Sequence, residues 1–201
     1  MHPLLETLKI KNGRIYHLND HQNRMNLSVK KIYGSSAEAP SLRSHIQIPE
    51  EAGDMWFKCR VVYGLSIGKI EYSPYRVQPV QSMELIFDDE IQYEIKWSDR
   101  TGIDLLKNRS SADDIIIVKD GRITDSSYAN LLFHKNGQWF TPAHPLLAGT
   151  QRARLISSGK IKEAEIKPQH LKKYDRIKWI NAMLDMVDGP EWPIGVIKNL
   201  P

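Results

Sequence analysis

The chain opens with a β-like apolar run over residues 4–10. An Asn12-Gly13 pair suited to a tight hairpin turn follows, and then a second run over residues 14–18. Asn19 or Asp20 can cap a helix whose apolar positions Met25, Val29, Ile32 and Tyr33 fall on one face, with Gly34 as a natural stop. A second, weaker helix is predicted within residues 41–51. Residues 55–63 and 67–72 then pattern as a strand pair around Gly64.

Around residues 73–81 the periodicity loosens and two prolines intervene, which predicts a linker. Strand patterns resume at 83–87 and 91–95, followed by a short helix from Ser98 or Asp99 to Asn108. Residues 115–118 are a fully apolar β run ended by an Asp120-Gly121 turn. Residues 128–134 and 138–141 form a further hairpin turned at Asn136-Gly137, and Gly149-Thr150 opens a helix ending near Gly159. Strands and helices mixed in two unequal parts predict an α+β architecture rather than alternating βαβ units.

Composition narrows the class. A hydrophobic content of 41% with 26% charged residues excludes wholesale disorder, and no apolar run approaches the ~20 residues that cross a bilayer. The start, Met1-His2-Pro3-Leu4-Leu5-Glu6, lacks the basic residues and apolar stretch of a secretory signal. Cys59 is the single cysteine, so no internal disulfide and no cysteine-based zinc site can form; a cytoplasmic location is expected. The net charge of +4 suits nucleic acid, small anions or neither. The densest basic stretch, Lys160, Lys162, Lys167, Lys172, Lys173, Arg176 and Lys178, is interrupted by acids and carries no aromatic stacking platform. It reads as a solvated surface rather than a nucleic-acid face.

Several catalytic signatures are absent: a glycine-rich phosphate loop, HExxH and the GxSxG elbow. The histidines His2, His17, His21, His45, His134, His144 and His170 show no paired metal-ligand spacing. The informative region lies between Lys96 and Arg152. A lysine leaving a strand into a semi-apolar cleft would have its pKa lowered by desolvation, as an amine nucleophile needs. Downstream come Thr124-Asp125-Ser126-Ser127-Tyr128-Ala129-Asn130-Leu131-Leu132-Phe133 and Gly149-Thr150-Gln151-Arg152.

This trio resembles the class IV aminotransferase family, the pyridoxal 5'-phosphate (PLP) enzymes of fold type IV. In that family a lysine precedes a short helix, a T-E-x-x-x-x-N segment follows, and G-x-T-R starts a later helix. Glu6-Thr7-Leu8-Lys9-Ile10 with Asn12-Gly13 is similar to the family's F-E-T hairpin, and His21-Gln22-Asn23-Arg24-Met25 to its H-x-x-R-L helix. Trp179-Ile180-Asn181-Ala182-Met183-Leu184 is similar to the C-N-A-L segment of the lyase branch. The resemblance implies the D-amino acid aminotransferase-like fold: a small N-terminal lobe over residues 1–76, a larger C-terminal lobe over residues 82–201 carrying the cofactor lysine, and PLP between them.

It also implies roles. Lys96 would hold PLP as a Schiff base and shuttle protons. Asp125 stands where the family has a glutamate at the pyridine nitrogen, on a shorter arm. Arg24, the Thr150 and Gln151 amides at a helix N-terminus, and Asn181 or Ala182 would cradle the phosphate. Gln151 replaces a family threonine, so a hydroxyl contact would be lost while the amide remains. Ser127 and Asn130 are further cofactor-side candidates. Arg100 would orient a substrate carboxylate or brace the site, and Thr7 matches a lyase threonine whose hydroxyl assists elimination, although Glu6-Thr7 equally resembles the F-E-T form of the other branches and does not decide between them.

The implied reaction is that of the lyase branch, 4-amino-4-deoxychorismate to 4-aminobenzoate and pyruvate in folate synthesis. Branched-chain or D-amino acid transamination is the alternative, and a non-catalytic homologue or basic interaction protein the reading of another class. The expected partners are a small anionic amine as substrate and a second copy in a homodimer, with no nucleic acid and no membrane. The chain is shorter than typical relatives, which bears on the loops that set substrate specificity.

Overall fold

Three tight turns fall where the sequence predicts them. Asn12-Gly13, Asp120-Gly121 and Asn136-Gly137 have φ of 52° and 64°, 50° and 68°, and 50° and 76°. Positive φ at both central residues is what two-residue hairpins demand, and Asn, Asp and Gly tolerate it. The computed structural model describes residues 3–53 and 55–201; of the histidines, His2 lies outside them. The chain divides into two units, Met1–Val77 with Ile95–Asp99, and Gln78–Glu94 with Arg100–Pro201. Lys96, expected with the larger lobe, therefore packs with the first unit.

In the first unit, β1 (Leu4–Lys11), β2 (Arg14–Ile15), β3 (Phe57–Tyr63) and β4 (Ile67–Pro74) form an antiparallel sheet in the order β2-β1-β3-β4. Alternation along β1 and β3 turns Leu4, Leu8, Ile10, Cys59, Val61 and Tyr63 to one face. There they join Met25 and Val29 of helix α1 (Leu18–Tyr33) in one buried cluster. Each side chain of this size contributes about 1.5–3 kcal/mol on full burial. Burial pushes the Cys59 thiol up to about 12, so it acts as a packing residue.

Several expectations need correction here. Helix α1 starts before Asn19 and Asp20; its N-cap is His17 in the left-handed region (φ 55°), with no side-chain cap hydrogen bond. Gly34 does end it, at φ 107°. The second helix shrinks to α2 (Leu42–His45) and a 3-10 turn at Glu50–Ala52, because Pro49 has no amide to continue a helix and holds the chain extended. Strand β4 continues to Pro74, so of the expected linker, residues 75–81 lack helix and strand.

The strand expected over 91–95 does not form. The Ile91 amide donates to Asp88 Oδ1 (2.8 Å) and its carbonyl accepts from Lys119 Nζ (2.6 Å), so side chains replace a ladder. What remains is a bridge between Leu4 and Trp97. It is flanked by Leu5 N to Lys96 O and Ser98 N to Pro3 O, both 2.9 Å.

The second unit is built on β5 (Met83–Phe87), helix α3 (Thr101–Lys107), β6 (Asp114–Lys119), β7 (Arg122–Ser126), β8 (Asn130–Lys135) and β9 (Gln138–Pro142). Helix α4 (Thr150–Ser157), β10 (Lys162–Ala164), β11 (Arg176–Ile180) and β12 (Glu191–Pro193) complete it. The sheet runs β10-β9-β8-β7-β6-β5, with β11 on β8 and β12 on β11. Only β5–β6 and β9–β10 are parallel. Ile115, Ile116, Ile117 and Val118 of β6 are fully buried, as an uninterrupted apolar strand requires. Lys178, expected on a solvated face, is buried: its Nζ donates to Met186 O and Gly189 O at 3.0 and 3.2 Å and pairs with Glu191.

Candidate active site

In the first unit, Lys96 is the partner of Leu5 on β1, and residues directly opposed in such a pair share a face. Period-two alternation puts Thr7 on that face too, so Thr7 and Lys96 flank Leu5 on the side of the sheet away from the apolar cluster. Lys96 was expected to end a strand; it lies instead beside the short Leu4–Trp97 bridge.

Arg24 reaches β1 from helix α1. Its Nε donates to Glu6 Oε1 (2.8 Å) and its Nη2 to Glu6 Oε2 (2.6 Å), while His21 Nδ1 donates to the same Oε2 (2.7 Å). Burial alone would raise the fully enclosed Glu6 carboxyl; Arg24 and His21 outweigh it and hold it at about 2. The pair orients the guanidinium through its Nε–Nη2 edge. The sequence pattern assigns neither Glu6 nor His21 a role of its own. The signal was available, since Glu6 sits on the same alternating face as Leu4, Leu8 and Ile10, where a carboxylate must be paired.

In the second unit, Asp125 and Asn130 are cross-strand partners on β7 and β8. Asn130 Nδ2 donates to Asp125 Oδ1 (2.7 Å) and to Leu147 O (2.9 Å), and Leu147 N donates to Asp125 Oδ2 (2.9 Å). Burial pushes the Asp125 carboxyl up to about 6 despite these donors. Gly149 lies so close that a Cβ there would stand 2.0 Å from Asn130 Oδ1. Gly149 also begins helix α4, whose N-terminus has no side-chain cap. Gln151 in its first turn is buried: Oε1 accepts from Arg154 Nη2, and Nε2 has no hydrogen-bond partner. Thr150 is half-buried at the first helical position.

The remaining candidates are braced within their own segments. Arg100 Nη2 donates to Ser127 O (2.6 Å), so this arginine ties the α3 start to the turn after β7. The Asn181 side chain accepts from the amides of Met183 and Leu184 (2.9 and 3.1 Å) and closes its own turn. Arg152, not singled out in the sequence, is buried between Pro142 O (2.8 Å) and Glu163 Oε1 (2.6 Å), and supports the strand before α4.

Among the described residues no group of histidine, cysteine or acid side chains could hold a metal ion, and no helix is long and apolar enough to cross a membrane. The polar groups suit an organic ligand carrying both charges: a buried carboxylate whose ionisation wants a cationic neighbour, and an uncapped helix N-terminus and a buried amide lacking an acceptor that favour an anion.

The family model for Amino-transferase class IV matches residues 3–192, and the chain belongs to that family. An uncharacterised Haemophilus influenzae protein is 40% identical over 91% of this chain and 98% of its own length. The crystal structure of a "putative 4-amino-4-deoxychorismate lyase" from Haemophilus somnus 129pt superposes with a TM-score of 0.85 at 33% identity, over 92% of this chain and 98% of that one. A "hypothetical aminotransferase" from Mycobacterium tuberculosis in its PLP-bound form shares the fold, with a TM-score of 0.78 at 14% identity over 100% and 83% of the two chains. The α+β architecture is that of this family.

Proposed function

We propose that this chain is a PLP-dependent lyase that converts 4-amino-4-deoxychorismate to 4-aminobenzoate and pyruvate. The observation that carries the reading is Asp125. Its carboxylate is buried, positioned by Asn130 and Leu147, and pushed up to about 6, so it gains most from a cationic N–H such as a pyridinium. When bound, PLP supplies an electron sink for the charge left at the amine-bearing carbon. Lys96 would hold the cofactor and move the proton at that carbon. In the second unit the Thr150 and Gln151 amides, with Gln151 Nε2 as an added donor, would hold a phosphate; in the first unit Arg24, which Glu6 orients, is the candidate for the same charge. Gln151 thus offers an amide where the family has a hydroxyl.

Elimination is favoured over transamination because Thr7 shares a sheet face with Lys96, so one face presents both a base and a hydroxyl that can attend the leaving enolpyruvyl oxygen. The similarity to the Haemophilus somnus protein supports the same choice. The reading carries with it a small anionic amine as substrate, a homodimer and a cytoplasmic location.

The test supplies PLP-loaded protein with 4-amino-4-deoxychorismate and no keto acid. Sustained release of pyruvate and 4-aminobenzoate is expected, and borohydride reduction followed by peptide mapping should label Lys96. Deamination of leucine or a D-amino acid that depends on 2-oxoglutarate, with no pyruvate release, would replace the lyase by an aminotransferase. Labelling at Lys107 or Lys119 would overturn the site.

A further inference from the structure

The face of the first unit's sheet that carries Thr7 and Lys96 is rich in basic residues. Its cross-strand rows are Leu5, Val62 and Lys69; Thr7, Arg60 and Glu71; and Lys9, Lys58 and Ser73. Glu71 is the one acid in those rows. Lys9 directly opposes Lys58, a like-charge pairing that disfavours folding. Lys9 is nonetheless 4% exposed, with Nζ 3.9 Å from the centre of the Trp56 ring, and Lys11 Nζ stands 4.6 Å from the same ring. Ring contacts stabilise these ammonium groups. A face rich in basic side chains suits an anionic ligand.

Within that face Arg60 is placed to do more than pair. It stands directly opposite Thr7, with Cβ atoms of such pairs about 4.5–5.5 Å apart. Arg60 Nη1 donates to Glu71 Oε2 (3.1 Å), and Glu71 is held from its other side by Lys69 (2.7 Å). That contact orients the guanidinium. Its Nε–Nη2 edge meets no acceptor among the described residues. An exposed pair of this kind contributes little to stability, and a free guanidinium edge matches a carboxylate in two-point geometry that an ammonium cannot supply.

We infer that Arg60 is a specificity residue that binds a substrate carboxylate lying across a six-membered ring from the reacting amine. The inference rests on the lyase reading above. Thr7 then sits between the group that handles the amine, Lys96, and the group that holds the far carboxylate.

The probe is chorismate, which keeps both carboxylates and carries a hydroxyl in place of the amine. Its affinity for the PLP-loaded protein is measured by calorimetry, beside the cofactor's absorbance. Arg60→Ala should weaken chorismate about 30-fold, Arg60→Lys should recover part of the loss, and the cofactor spectrum should not change. Glu71→Gln, which keeps a side-chain oxygen to orient Arg60 and removes the negative charge beside it, should bind chorismate as well as or better than the parent. With 4-amino-4-deoxychorismate, Arg60→Ala should raise KM far more than it lowers kcat. Equal chorismate affinity in parent and Arg60→Ala, or no chorismate binding by PLP-loaded parent, overturns the inference. A protein that takes up no PLP yet binds chorismate through Arg60 would sink the lyase reading and leave this anion site standing.

Discussion

Arg24 grips Glu6 edge-on, Nε to Oε1 at 2.8 Å and Nη2 to Oε2 at 2.6 Å, beneath a sheet whose carboxylate is wholly enclosed. His21 closes the group from the same helix at 2.7 Å. Removing one partner of a buried pair leaves the other charge uncompensated, so Glu6→Gln should destabilise the protein by about 3–5 kcal/mol. The effect has a pH signature. The folded-state carboxyl lies at about 2 against an ordinary 4.5, so its stabilisation is complete above 4.5 and is lost as pH falls towards 2. Urea melts between pH 6 and 2 should show the parent losing up to about 3 kcal/mol more than Glu6→Gln over that range.

Asp125 has the opposite sign. Its carboxyl is raised from 3.8 to about 6 by burial, so the folded state holds a proton that the unfolded chain releases. In cofactor-free protein, stability should therefore fall as pH rises from about 4 to 6 and stay reduced above 6, by up to about 3 kcal/mol. Asp125→Asn cannot ionise and should lack that slope in the same melts. In PLP-loaded protein the substitution should lower kcat at least about 100-fold, since it removes the charge proposed to face the ring nitrogen.

Much of the fold was legible because its punctuation is local. Asn12-Gly13, Asp120-Gly121 and Asn136-Gly137 each declare a turn that no other dipeptide adopts as easily, and Gly34 stops α1 at φ 107°. The fully apolar stretch in β6 could only be a strand buried on both faces. Illegible were features decided at a distance. Lys96 owes its place to a backbone bridge with a strand some ninety residues earlier, which no pattern around Lys96 encodes. Lys178 lies in a basic stretch and is buried all the same, because carbonyls from residues 186 and 189 satisfy its ammonium. The matching segments pointed to Asp125, Asn130 and Gly149 one at a time. Their mutual contact, and the Glu6 partner of Arg24, emerged only with the strands in register.

Arg24 should separate phosphate binding from ring binding. Arg24→Ala is expected to lose PLP affinity about 30-fold or more, through loss of a charge-assisted contact. Pyridoxal, which lacks the phosphate, should bind parent and variant alike. Because the same substitution also strands Glu6, the comparison that checks it is the ratio of the two affinities in each protein, titrated by absorbance. An unchanged ratio would mean that Arg24 serves Glu6 alone.

Gly149 tests the Asp125 assembly without touching it. Its φ of −67° and ψ of 142° suit any residue, so a side chain is excluded by space and not by backbone strain. Asn130 is fixed by donating Nδ2 to Asp125 and to Leu147 O, which leaves its Oδ1 where the new Cβ of Gly149→Ala would stand, 2.0 Å away. Forcing that methyl in should destabilise the protein by about 1–3 kcal/mol and push Asn130 off Asp125. In an Asn130→Ala background the obstructing amide is gone, and Gly149→Ala should then cost under about 0.5 kcal/mol. Urea melts of the four proteins give the coupling, expected at about 1–2 kcal/mol. Equal costs in both backgrounds would show that Asn130 does not hold the position that the contact with Gly149 requires.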